Sequence, residues 1–140
     1  MNIALVANDS KKTLMENLCI AYRHILIKHD LYATGTTGQL IEDTSSLPVH
    51  KYLAGDLGGE QQLASQISNN EIDLVIFLRD TSYPPKHPAI GAADFSSALR
   101  FCDMHNIPLA TNLATAEALL LALDRGDLDW RNLVRNNSNL

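Results

Sequence analysis

Leu74-Val75-Ile76-Phe77 is a run of apolar residues with no polar residue interrupting it. A strand with one wet face alternates polar and apolar side chains. A short run that is apolar throughout fits a central strand covered on both faces, as in parallel sheets. Working outward, further strands are expected at Ile3–Ala7, Asp30–Thr34, Val49–Leu53 and Leu109–Thr111. Between them Leu14, Leu18, Tyr22 and Ile25 recur at helical spacing and predict a helix over Lys12–Lys28. Shorter helices are expected over Thr37–Thr44, Glu60–Ser68, Asp94–His105 and Thr115–Asp124, with Gly126 near the stop of the last and a closing turn at Trp130–Val134. Strands alternating with helices predict an α/β three-layer sandwich around a five-stranded, mainly parallel sheet.

The bulk properties bound what this sheet can serve. At 140 residues and 46% hydrophobic content, residues 1–140 read as a single domain with a core of ordinary size. No apolar run reaches the roughly 18 residues that cross a bilayer, so no membrane partner is expected. Met1-Asn2-Ile3-Ala4-Leu5 has no basic stretch ahead of its apolar residues and reads as a strand rather than a signal peptide, which makes the cytoplasm the expected compartment. The net charge of −5 argues against general nucleic-acid binding and means that a site for an anion must be built locally. Cys19 and Cys102 form no CxxC pair and read as small buried hydrophobes.

Open parallel sheets bind ligands beyond the carboxyl ends of their strands. That rule selects the loops Asn8–Lys12, Thr34–Gly38, Ala54–Glu60, Arg79–Asp94 and Thr111–Thr115. Thr34-Gly35-Thr36-Thr37-Gly38 follows a strand and opens a helix. Its glycines let the backbone turn tightly, and its hydroxyls and helix-start amides can donate to phosphate oxygens. A Thr-capped turn would use the same residues. The string is neither a Walker loop nor a dinucleotide fingerprint, because no Gly-Lys-Ser/Thr and no GxGxxG is present. The third loop ends in Gly58-Gly59-Glu60-Gln61-Gln62. A carboxylate there can complement the helix dipole or serve as a general base. Lys12 at a helix start opposes the dipole, and binding a phosphate would account for it. Asp80, Lys86, His87 and Asp94 occupy the fourth loop, which Pro84, Pro85 and Pro88 stiffen.

Together these segments resemble the methylglyoxal synthase family. The strings that carry the resemblance are Ile3-Ala4-Leu5-Val6-Ala7, His29-Asp30-Leu31-Tyr32-Ala33-Thr34-Gly35-Thr36-Thr37-Gly38, Gly58-Gly59-Glu60-Gln61-Gln62, Asp73-Leu74-Val75-Ile76-Phe77 and Ile107-Pro108-Leu109-Ala110-Thr111-Asn112. They run in order from about Asn2 to Val134. The resemblance implies a homohexamer that converts dihydroxyacetone phosphate to methylglyoxal and inorganic phosphate, with no metal or organic cofactor. It implies that Asn8, Lys12, Thr34, Thr36, Thr37 and Gly55 hold the substrate phosphate and that Glu60 is the base. It further implies that Asp80, Asp94 and His87 are catalytic, and that Asp9 and Arg100 serve subunit contacts and phosphate regulation.

The chain departs from the family's pattern at its chemistry. Asn8 stands where the family has His, Ala54 where it has Ser, and Glu60 where it has Asp, and the Asp80–Asp94 segment is four residues longer. Asn8 keeps its hydrogen bonds but does not titrate near neutral pH. Glu60 gains roughly 1.5 Å of reach over Asp. The alternative reading is a phosphate- or phosphometabolite-binding regulatory module of the same fold without turnover, like the regulatory domain of large carbamoyl phosphate synthetases. Such a module has no need of Glu60.

Overall fold

The computed structural model describes residues 1–54, 57–82 and 92–137, with the side chains of 92–97 and of 136 and 137 left aside. The strands are β1 (Asn2–Ala7), β2 (Asp30–Ala33), β3 (His50–Lys51), β4 (Leu74–Leu78) and β5 (Leu109–Ala110). The helices are α1 (Lys12–Ala21), α2 (Arg23–Leu26), α3 (Gly35–Ser45), α4 (Gly59–Ser68), α5 (Ala92–His105), α6 (Leu113–Asp124) and α7 (Trp130–Asn137). The strand order is β3-β2-β1-β4-β5, and each neighbouring pair is parallel. The sheet is therefore wholly parallel among the described residues, more regular than the mixed arrangement the sequence left open.

Both faces of the sheet are covered, and the strand sequences divide between them by parity. Ile3 and Leu5 of β1, with Leu74, Ile76 and Leu78 of β4, enter a core shared with Met15, Leu18, Ile41 and Leu120 of α1, α3 and α6. Ala4, Val6, Val75 and Phe77 face the other way, onto Leu63 and Ile67 of α4 and Ala98 and Cys102 of α5. Burial pushes the Cys19 thiol up to about 12 and the Cys102 thiol to about 11, with lesser contributions from Glu16 and Asp103. Both thiols are thus protonated packing groups near neutral pH.

Several elements differ from the sequence reading: α6 starts at Leu113 rather than Thr115, and the closing turn is the helix Trp130–Asn137. The helix expected over Lys12–Lys28 is two helices, broken at Tyr22 (φ −108°, ψ 22°). Arg23 then turns its guanidinium to the Ser45 carbonyl at the end of α3, 2.7 Å away. The third strand shrinks from Val49–Leu53 to His50–Lys51: the Val49 amide donates to Glu42 Oε1 and the Leu53 amide to Gln62 Oε1. Helix α3 starts at Gly35 rather than Thr37, so the loop read as an anion turn is itself the helix's first turn.

Candidate active site

All five strands end at one edge, and their order reverses between β1 and β4. The chain steps outward to β2 and β3 on one side of β1, and to β4 and β5 on the other. The crevice beyond the carboxyl ends of β1 and β4 is therefore where a ligand is expected. The register sets what borders it. Ala4 pairs with Tyr32 and Tyr32 with His50, so the loops after β1, β2 and β3 leave the sheet side by side, about one strand spacing (~4.8 Å) apart. Ala7 pairs with Leu78, which brings Asn8 against the start of the loop after β4.

Thr34 holds the N-cap position of α3 with extended backbone, but its hydroxyl does not cap the helix. The Gly35 amide donates to the Leu53 carbonyl at 3.0 Å, and the Gly38 amide begins the helical ladder on the Thr34 carbonyl at 2.8 Å. The helix itself leaves the Thr36 and Thr37 amides without acceptors, and its positive end lies here. The side chain of Thr36 is exposed, that of Thr34 half-buried and that of Thr37 buried. Such donors at a helix start suit an anion.

Leu53 joins this turn to the next. Its carbonyl accepts from Gly35, and its amide donates to Gln62 Oε1 at 3.0 Å. A Cβ at Gly59 would sit 1.8 Å from the same Leu53 oxygen, so only glycine lets α4 begin here. Gly58, the N-cap of α4, has φ +104°, which also favours glycine. The Ala54 carbonyl takes the amides of Leu57 and Gly59 at 2.9 and 3.1 Å. Consequently Glu60, in the first turn of α4, starts beside the same peptide that accepts from the first turn of α3. One oxygen of the Glu60 carboxylate is buried.

On the other flank, Asn8 spans the crevice. Its amide donates to the Leu78 carbonyl at 3.2 Å, and its Oδ1 accepts from the Asp80 amide at 2.8 Å. Asn8 thus spends its side-chain oxygen on the loop after β4, and its Nδ2 group is what it can offer a ligand. Ser10 Oγ donates to Asp80 Oδ2 at 2.8 Å. The amide and hydroxyl of Ser82 both donate to Asp80 Oδ1, at 2.9 and 2.6 Å. Lys12 opens α1 and pairs with Asp9 at 3.0 Å, which offsets an otherwise unfavourable charge at a helix start. An incoming anion would share the Lys12 ammonium with Asp9.

Asn8, Lys12, Thr34, Thr36, Thr37, Glu60 and Asp80 therefore lie on the loops and helix starts at one sheet edge. Gly55 and His87 lie outside the described residues. Asp94 falls within α5, but its side chain is not described. Arg100 is exposed on α5 and Asp9 is exposed beside the crevice, and neither reaches the turn of Thr34 in the described contacts. Three contributors were not singled out in the sequence. Gln62 stood in a quoted string with no role, and Ser10 and Ser82 carried no signal. Only the β1–β4 register, which pairs residues about seventy positions apart, brings Ser10 to Asp80. Among the described residues no cluster of His, Cys, Asp and Glu suits a metal ion, and no helix is long and apolar enough to cross a membrane.

The family model for the MGS-like domain matches residues 16–111. A methylglyoxal synthase of Caldicellulosiruptor saccharolyticus is 58% identical over 134 residues, covering 96% of this chain and 92% of that protein. A methylglyoxal synthase of Listeria welshimeri is 51% identical over 137 residues, covering 98% and 99%. Among solved structures, a methylglyoxal synthase from Elizabethkingia anophelis aligns with a TM-score of 0.74 at 40% identity, covering 85% of this chain and 76% of that one.

Proposed function

The chain belongs to the methylglyoxal synthase family, and from that membership we infer that it is a phosphate-eliminating lyase that converts dihydroxyacetone phosphate to methylglyoxal and inorganic phosphate. The substrate phosphate sits on the first turn of α3, held by Thr34, Thr36 and Thr37, with Lys12, Asn8 and Gly55 completing the cradle. Glu60 removes a proton from the carbon beside the carbonyl. The C–H electron pair becomes the carbon–carbon double bond of an enediolate. The enediolate then expels phosphate as the C–O bond breaks and its electron pair leaves with the phosphate. The remaining enol takes up a proton on carbon and becomes methylglyoxal. Asp80, Asp94 and His87 border the reacting carbons and handle the hydroxyl and oxyanion charge.

The observation that best supports this reading is the Leu53 peptide. One carbonyl braces the phosphate turn through Gly35 and, by its contact with Gly59, sets the start of the helix that carries Glu60. A phosphate held by that turn and a base on that helix are positioned against a single rigid group, as chemistry at the adjoining carbons requires. A regulatory module would need the turn but not the carboxylate.

The test is incubation of purified protein with dihydroxyacetone phosphate while methylglyoxal and phosphate are followed together. Equimolar release is expected. Phosphate binding without product would reject the lyase reading in favour of the binding module. Glu60→Gln should lower kcat by about 10² to 10⁴, the usual contribution of a positioned base, and unchanged turnover would reject Glu60 in that role. A cytoplasmic homohexamer with Asp9 and Arg100 at its contacts belongs to the same proposal, and sedimentation of the purified protein tests the assembly.

A further inference from the structure

The carboxylate of Asp80 is gripped from two sides. Oδ1 accepts from the Ser82 amide and hydroxyl, two residues along its own loop. Oδ2 accepts from Ser10, which comes from the loop after β1, across the crevice. The Ser82 contacts are local and shape one turn. The Ser10 contact is long-range, and Ser10 sits in the short 3-10 turn Asp9–Lys11 that leads directly into Lys12. That turn thus presents the hydroxyl that bonds Asp80 and runs straight into Lys12, the proposed cation of the phosphate cradle.

We propose that Ser10 is a positioning residue that holds Asp80 as an ionised hydrogen-bond acceptor at the β1–β4 crevice, in fixed register with Lys12. The inference rests on the reading of Asp80 as an active-site acid and makes it specific: Asp80 acts as a carboxylate that orients a substrate hydroxyl, not as a proton donor. A backbone N–H can only donate, so Oδ1 is committed as an acceptor. Donors on both oxygens favour the charged form. Among the described residues the other charged groups of the two loops are Asp9, Lys11 and Lys12 after β1 and Arg79 after β4; Lys86 and His87 of the second loop lie outside them. Asp9 and Lys12 pair with each other, and Arg79 lies over the Phe77 ring, 5.2 Å from its centroid. The Asp94 side chain, on α5, lies outside the described residues.

Carbon-detected NMR of the aspartate carboxyls in the full-length protein tests this, alongside the pH profile of kcat. In Ser10→Ala the Asp80 midpoint should rise, since one donor to the charged form is lost. The acid limb of kcat should move upward with it. At pH 7 kcat should fall about tenfold, while KM and the affinity for inorganic phosphate stay within about twofold, because Lys12 and the α3 turn are untouched. Ser10→Thr keeps a hydroxyl and should restore the profile. A Ser10→Ala protein whose Asp80 titration and kcat profile match the wild type would overturn the proposal. Wild-type kcat in Asp80→Asn would instead overturn the reading of Asp80 itself, and this inference with it.

Discussion

At the scale of single residues, Gly59 is the position with least freedom. Its Cα faces the Leu53 carbonyl so closely that an added methyl would sit 1.8 Å from oxygen and 3.1 Å from the Ala54 carbonyl. The obstruction is backbone, not the tip of a flexible side chain, so the start of α4 must move to accept it. Gly59→Ala should cost on the order of 1–3 kcal/mol, as overpacking does, measurable as a lower midpoint in urea. The functional loss should exceed what that instability explains. A shift of about 1 Å in the group carrying Glu60 costs on the order of a hundredfold in rate. A Gly59→Ala protein with wild-type kcat under conditions where it is fully folded would show that the close approach does not position the base.

At the scale of elements, α4 carries Glu60, the proposed base, and also braces the turn that opens α3. Gln62, just beyond Glu60, accepts the Leu53 amide at 3.0 Å, and Gln66, a turn further on, receives the Tyr52 hydroxyl. The end of the third strand is thereby tied to the face of α4, and the Leu53 carbonyl is held where Gly35 needs it. Gln62→Ala removes the acceptor. It should weaken inorganic phosphate binding about threefold to tenfold, the equivalent of one hydrogen bond of roughly 1 kcal/mol, measured by titration calorimetry. Gln62→Glu keeps an oxygen at the same reach and should restore most of the affinity. Unchanged binding in Gln62→Ala would mean that the α3 turn is rigid without this brace.

The same element shows how much could be read in advance. Gly58-Gly59-Glu60 was legible as a helix start at the sheet edge because glycines before a carboxylate are a local signal. Strand positions were legible for a similar reason, since the apolar runs Ile3–Ala7 and Leu74–Phe77 are written in adjacent residues, although which side chains face which layer is not. The contacts that lock the site were not legible. Gln62 to Leu53, Ser10 to Asp80 and Asn8 to the Asp80 amide depend on which strands neighbour each other and in what register. No local period reports that. The break at Tyr22 was hidden because Leu14, Leu18, Tyr22 and Ile25 keep helical spacing across it. The reason for the break lies at the far end of α3, where Arg23 bonds to Ser45.

At the scale of the whole molecule, the two ends of the sheet are specialised. The carboxyl end holds the candidate site. The opposite end is closed by Arg131, the largest fully buried side chain, which lies in α7. Its guanidinium donates to the carbonyls of Ile72, His105 and Asn106, to Asn70 Oδ1 and to Asp73. Asp73 accepts in turn from the Asn2 amide at 2.8 Å and from Arg135. One buried ion pair therefore joins the beginnings of β1 and β4, the turn after α5, and α7. Sequence had placed only a closing turn here, because a charged residue in a polar helix reads as solvated.

Breaking a buried pair by removing one partner typically costs about 3–5 kcal/mol; here Asp73 keeps Arg135 and the Asn2 amide, while three carbonyls lose their donor, so the lower end of that range is expected. Arg131→Ala should lose stability on that scale in urea unfolding, more than Arg125→Ala, whose exposed pair with Asp127 contributes little. The loss should fall on stability rather than catalysis, since these contacts lie at the opposite strand ends from Glu60, Thr34 and Asp80. In the folded fraction at low temperature, kcat and KM of Arg131→Ala should therefore match the wild type. A drop in kcat without loss of stability would mean that the two ends of the sheet are coupled, and that α7 acts on the site through β1 and β4 rather than only securing them.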